Sequence, residues 1–323
     1  MHARTIPQPS CASMCDGPCE GMKADIRTWQ PDRCLPGFEA LELRFPDDYD
    51  GAVVATLVRL PAGEAPRGAV LYLHGFADYF FQRHMAERFA AEGYAFYALD
   101  LRKHGRSLRP HQHPNFCKNV SEYYADIARA IEAIGEPVML AGHSTGGLVC
   151  ALYAHEGPGR DSLRALWLNS PFFDWRLPAW KRTQLHFAAA LGRFYPFLRD
   201  DRTLREDYVN GLLDAGWEFD LDLKPPLGFG VYYGWLGAMN DAHARVQRGL
   251  DIACPVLSMH SDDTDIVLDW RDCAKWSRSL GREVTVLAFP GAQHDVVLSA
   301  APVREEVFRQ LFAWAERAIA LEA

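Results

Sequence analysis

Short apolar runs alternate with amphipathic stretches along this chain, and the alternation holds almost to its end with one long interruption. Residues 38–45 and 52–60 read as strands flanking the turn-rich Pro46-Asp47-Asp48-Tyr49-Asp50-Gly51, which predicts an antiparallel hairpin at a sheet edge. Residues 68–73 are nearly continuously apolar, as a strand covered on both faces is. A helix over 82–92 follows, with Met85, Phe89 and Ala90 on one face and a stop at Gly93, and then a strand over 94–99. Strand, helix and strand in that order predict a right-handed parallel unit. Ser121 is the expected cap of a helix running to Ile134, on which Tyr124, Ile127, Ala128 and Ile131 make a core-facing stripe. Further strands are expected at 137–140, 165–169, 255–260 and 283–289, with helices at 145–154, 270–280 and 303–320.

The pattern therefore specifies an α/β fold with a mostly parallel central sheet and helices on both faces. The interruption spans residues 171–250, rich in helical periodicity and in aromatics. An insertion there sits over the carboxyl ends of the strands, where open α/β sheets bind ligands, and is expected to be a helical cap. Its Trp175, Tyr232, Tyr233 and Trp235 are candidates to line an apolar pocket. The expected division is a flexible segment over 1–34, a core over 35–170 and 251–323, and the cap between the two core pieces.

Chemistry enters at Gly142-His143-Ser144-Thr145-Gly146-Gly147, a G-x-S-x-G between an apolar strand and a helix. A serine at the tip of a strand-to-helix turn needs glycines where neighbouring backbone comes close, and the helix start behind it directs N–H groups at developing negative charge. A second glycine turn, His74-Gly75-Phe76-Ala77-Asp78, follows the central strand. The N–H groups of Phe76 and Thr145 are thus the candidate oxyanion hole. After a later strand come Asp262, Asp263 and Asp265, and after the last strand comes His294. Serine, acid, histidine is the chain order of the α/β-hydrolase triad, with Ser144 as nucleophile and His294 as general base. Spacing from the strand end favours Asp263 as the acid, with Asp265 next.

Composition narrows the classes further. The 323 residues carry a formal net charge of −8 and no clustered Lys and Arg, so nucleic acid is not an expected partner. No run approaches the length needed to span a bilayer, and the N-terminal region lacks an apolar core of the signal-peptide kind, so a cytoplasmic setting is expected. The eight cysteines lack paired C-x2-C spacing and read as reduced thiols rather than a metal site.

Four segments together, His74-Gly75-Phe76, 100–107, Gly142–Gly147 and Gly291-Ala292-Gln293-His294, resemble the monoacylglycerol lipase and lysophospholipase-like branch of the α/β-hydrolases, also called the serine aminopeptidase group. The resemblance runs from about Phe38 to the end, excluding much of the cap. It implies a serine hydrolase with an acyl-enzyme intermediate and no cofactor; the aromatic-rich cap favours a small ester substrate with a hydrophobic acyl group. Two positions depart from that branch. Lys103 stands where glycine is usual, and Thr145 follows the nucleophile in place of a larger side chain. An aminopeptidase or amidase would instead want cap acids such as Asp200, Asp201, Glu206 and Asp207 to hold an amine; these read as an exposed charged face. A binding protein on a hydrolase fold would have no need of a complete triad.

Overall fold

The computed structural model describes residues 28–320, apart from 62, 64, 202–205 and 263. The first strand, β1 (Gln30–Pro31), lies on β2 (Glu39–Asp48), which forms the expected hairpin with β3 (Gly51–Arg59). Next come β4 (Ala69–Leu73), α1 (Arg83–Ala91), β5 (Ala95–Asp100), α2 (Tyr124–Ile134), β6 (Val138–His143), α3 (Thr145–Glu156) and β7 (Leu163–Asn169). The excursion after β7 holds α4 (Ala179–Gly192), β8 (Arg199–Asp200), α5 (Glu206–Asp214), β9 (Val231–Tyr232) and α6 (Tyr233–Val246). The chain closes with β10 (Val256–Ser261), α7 (Trp270–Ser277), β11 (Val284–Phe289) and α8 (Ala301–Ala320).

Nine strands form one sheet in the order β1-β2-β3-β5-β4-β6-β7-β10-β11, parallel from β5 to β11 and antiparallel at the hairpin side. Chain order reverses at β4, which lies between β5 and β6, so the loops after β4 and β6 open on a common crevice. Alternate side chains divide between two cores. Leu71 and Leu73 join α2, α3 and α6 on one face, whereas Val70 and Tyr72 join α1 and α8 on the other. Helix α3 is apolar all round because it packs against β6 and β7 on one side and α6 on the other.

Three details differ from the pattern. The stretch expected to be a flexible N-terminal segment is packed over its described part: β1 pairs with β2, and buried Asp32 bonds the Arg106 guanidinium at 2.8 Å. The cap of the helical region before α2 is Asn119, not Ser121, because Asn119 and Glu122 form a reciprocal capping box around a 3-10 turn over Val120–Tyr123. The excursion is not wholly helical, since β8 and β9 pair as a short ribbon. Among the described residues no helix is long and apolar enough to cross a membrane.

Candidate active site

Strand β6 delivers Ser144. The register pairs Leu73 with Gly142, which sets the 74–78 turn beside the turn that carries Ser144. Ser144 has φ 52° and ψ −116°, a backbone that costs a non-glycine residue about 1–3 kcal/mol and persists because its surroundings fix it. Those surroundings leave no room at the flanking glycines. A Cβ on Gly142 would sit 2.6 Å from the Gly146 carbonyl oxygen, and one on Gly146 would sit 2.6 Å from that of Leu73.

Thr145 is the first residue of α3, so its N–H has no intrahelical acceptor, and the N–H of Phe76 likewise has none among the described residues. Both residues line one cavity of about 800 Å³ with Ser144 and His294. The Phe76 ring is fixed by Trp235, centroid to centroid 4.1 Å.

His294 follows β11 and is buried, with its Nδ1 donating to Asp265 Oδ2 at 2.9 Å. A carboxylate only accepts, so this bond sets the tautomer: Nδ1 carries the proton and Nε2 carries the lone pair a general base needs. The other oxygen, Oδ1, accepts from the N–H groups of Val267 at 2.7 Å and Leu268 at 3.0 Å. Burial alone would raise the Asp265 pKa, but the His294 charge and hydrogen bond, with those two N–H groups, outweigh it and hold the carboxyl below its usual range. Arg176, just beyond β7, donates to the main-chain oxygens of Asp265 and Leu268 and secures that loop.

The acid favoured by spacing, Asp263, lies outside the described residues. Since Nδ1 of His294 has one hydrogen and gives it to Asp265, the candidate acid becomes Asp265. Spacing alone does not separate the aspartates of this loop, in which Asp262 accepts from the N–H groups of Thr264 and Gly291. Ser144 Oγ makes no hydrogen bond among the described residues; such bonds commonly tighten only when substrate binds.

Of the aromatics expected to line a pocket, Trp175, Tyr233 and Trp235 do so. Tyr232 instead packs against Phe116 and His113, with centroids 5.4 and 5.5 Å away. Asp200 lines the cavity rather than standing on an exposed face.

The pattern assigned no role to a polar pair inside the cavity. Lys224, from the excursion, donates from Nζ to Asp78 Oδ1 at 2.5 Å, both side chains being about 4% exposed. Burial would raise the Asp78 pKa, but the Lys224 charge, with lesser help from His74, lowers it. Tyr208 of α5 sets its ring edge against His294 at 5.6 Å, and burial pushes its hydroxyl far above the usual range, so it stays protonated. The only signal for this pair was a lysine among prolines in the excursion, which spacing rules do not connect to a turn 146 residues earlier.

Lys103 adopts φ 63°, a conformation that favours glycine. It is fully buried, and its Nζ lies 2.9 Å from Asp48 and 2.8 Å from Asp50 with the Tyr49 ring at 3.8 Å, so the hairpin turn holds it. The departure at Lys103 is thus a structural tie outside the cavity lining.

Comparison with known proteins gives consistent results. The family described as serine aminopeptidase, S33, matches residues 64–299. The monoacylglycerol lipase of Mycolicibacterium smegmatis is 26% identical over 243 residues, covering 72% of this chain and 82% of that protein. The monoglyceride lipase of Saccharomyces cerevisiae is 26% identical over 288 residues, covering 80% of this chain and 87% of that one. A solved structure of a soluble variant of the yeast enzyme with a substrate analog superposes with a TM-score of 0.68 at 21% identity, over 86% of this chain and 96% of that one, and so shows the fold. The chain belongs to the serine aminopeptidase, S33, family, in the monoacylglycerol-lipase-like branch of the α/β-hydrolases.

Proposed function

We propose that this chain hydrolyses carboxylic esters with a hydrophobic acyl group through an acyl-enzyme on Ser144, with residues 171–250 serving as its cap. Ser144 Oγ attacks the ester carbonyl carbon while His294 Nε2 takes its proton, and the Asp265 carboxylate stabilises the imidazolium. The N–H groups of Phe76 and Thr145 receive the negative charge on the carbonyl oxygen. Collapse expels the alcohol, which takes the proton from His294; water, deprotonated by the same nitrogen, then releases the acid and frees Ser144.

One observation carries this reading: Ser144, His294 oriented by Asp265, and two N–H groups with no acceptor among the described residues meet at a single cavity lined by Trp175, Leu185, Tyr233, Trp235 and Val267. That lining suits an acyl chain. The relatives named as monoacylglycerol and monoglyceride lipases support the substrate class. A cytoplasmic setting accords with Cys34, Cys117, Cys150 and Cys273, which form no disulfide among the described residues.

An amidase or aminopeptidase reading draws on Asp78 and Asp200, which line the cavity. Lys224 already balances Asp78, which makes that carboxylate a poor anchor for a substrate amine. The test is hydrolysis of p-nitrophenyl esters from acetate to palmitate beside amino-acid p-nitroanilides, with wild type and Ser144→Ala. Ester turnover with an optimum beyond acetate, falling about 10³–10⁶-fold in the variant, is expected. Anilide turnover without ester turnover would favour the amidase, and ester turnover surviving in Ser144→Ala would refute the mechanism.

A further inference from the structure

Asn169 is the last residue of β7, fully buried, paired with His143 on β6 and Met259 on β10. Its main-chain oxygen accepts the N–H of Ser144 at 2.9 Å, and Nδ1 of His143 lies 3.2 Å from the same atom. Its side chain reaches the other way. Oδ1 accepts the N–H of Val296 at 3.2 Å, and Nδ2 donates to Asp295 Oδ1 at 2.7 Å. A main-chain N–H only donates and a carboxylate only accepts, so the amide orientation is fixed by its partners.

Asp295 follows His294 directly and is 1% exposed. Its carboxylate is held by N–H donors: Asn169, Val297 at 3.2 Å and Gln82 Nε2 at 3.1 Å. No Lys or Arg is within ion-pair distance of it among the described residues. Neither Asn169 nor Asp295 lines the cavity, so neither touches substrate.

We propose that Asn169 is a positioning residue: it joins the turn carrying Ser144 to the loop carrying His294, with Asp295 as its partner, and so fixes the approach of nucleophile and base. The proposal rests on the roles given above to Ser144 and His294. A single residue whose backbone is bonded to the Ser144 turn and whose amide is bonded to the loop after His294 transmits any shift of one to the other. An error of about 1 Å in such an alignment costs about 100-fold in rate.

The titratable groups that face Asp295 are His294, His143 of β6, His84 of α1, Tyr72 of β4 and Tyr208 of α5, with Asp78 and Lys224 beyond His143. Burial pushes His143 to about 4 and lowers His84, and it raises Tyr72 and Tyr208 far above their usual range. Those four stay neutral at ordinary assay pH.

The test exchanges the partners. Asn169→Asp keeps size and the acceptor for Val296 but sets a second carboxylate against Asp295; such a pair shares one proton and gives it up only at raised pH. We expect kcat to fall about 10–100-fold with KM nearly unchanged, the loss deepening from pH about 6 to about 9 as the shared proton leaves. Asp295→Asn alone also lowers kcat. The double variant Asn169→Asp with Asp295→Asn re-forms one N–H to carboxylate bond with donor and acceptor exchanged, and should regain kcat to within about 5-fold of wild type and lose the added pH dependence. Wild-type kcat in Asn169→Asp across this range overturns the proposal, as does a pH-independent loss that the double variant does not relieve. If Asn169→Asp does not fold, wild-type kcat in Asp295→Asn overturns it instead. Ser144→Ala, run in parallel, separates the two claims: turnover persisting there defeats the serine mechanism itself, whereas turnover lost there and unchanged in Asn169→Asp defeats only this inference.

Discussion

The choice of candidate acid turns on a single hydrogen atom. Nδ1 of His294 has one to give, and its acceptor is Asp265. Asp265→Asn replaces a carboxylate that stabilises imidazolium with an amide that can hold the wrong tautomer, and kcat should fall about 10⁴-fold with KM little changed. Asp263→Asn, measured beside it, should lose less than about 10-fold if Asp265 is the acid; the reverse ranking in ester-hydrolysis kinetics would reinstate Asp263. Ser144, Thr145, Phe76 and His294 could be proposed from the sequence because each lies within five residues of a strand end, where chain order and spacing carry geometric information. The acid could not be singled out, since three aspartates share one loop and counting residues does not reveal where a loop turns. Lys224, Tyr208 and Asn169 were not legible either. Their partners lie far away in sequence, and a polar residue with a distant buried partner looks like any surface residue until the fold brings the two together.

At the scale of elements, the core strands were readable because burial on both faces leaves an almost continuous apolar run, as in Val138-Met139-Leu140-Ala141 of β6, every residue of which is buried. Ends were harder. The 3-10 turn before α2 begins from Asn119 because its side chain accepts the N–H of Ser121, a choice between two capping residues two positions apart that composition leaves open. The excursion was least readable, since its amphipathic faces meet a cavity as well as a core. Its later half is fixed to the core by Lys224 on Asp78, by the N–H of Asp220 on the Tyr79 hydroxyl at 2.7 Å, and by Trp217 Nε1 on the Leu298 oxygen at 2.8 Å. In the Lys224 pair, desolvation of both charges offsets much of their attraction, so it fixes position more than it adds stability. Helix α4, by contrast, leaves Trp180 and Phe187 61% and 73% exposed, so the two halves of the excursion are held to different degrees.

For the whole molecule, buried ionisable groups set the response to acid. Burial pushes His104 to about 3 and both His143 and His243 to about 4, against about 6.5 for an unfolded histidine. Below that value the unfolded chain binds protons that the folded one refuses, so stability falls as pH drops from about 6.5 toward 4, on the order of 1 kcal/mol per pH unit for each histidine once well inside the window. Asp265, Asp78 and Asp32 have lowered folded values, and their contribution is lost only at lower pH, below about 3.8. Denaturant unfolding at a series of pH values should therefore show stability declining between 6.5 and 4.5; a flat profile there would mean that these histidines are not buried as described. The role of Ser144 as nucleophile is tested by peptide mapping with mass spectrometry after inactivation by a fluorophosphonate. One phosphonyl adduct is expected, on Ser144, formed in step with loss of ester turnover. Loss of turnover with the adduct on another residue, or full turnover with Ser144 stoichiometrically modified, would contradict it.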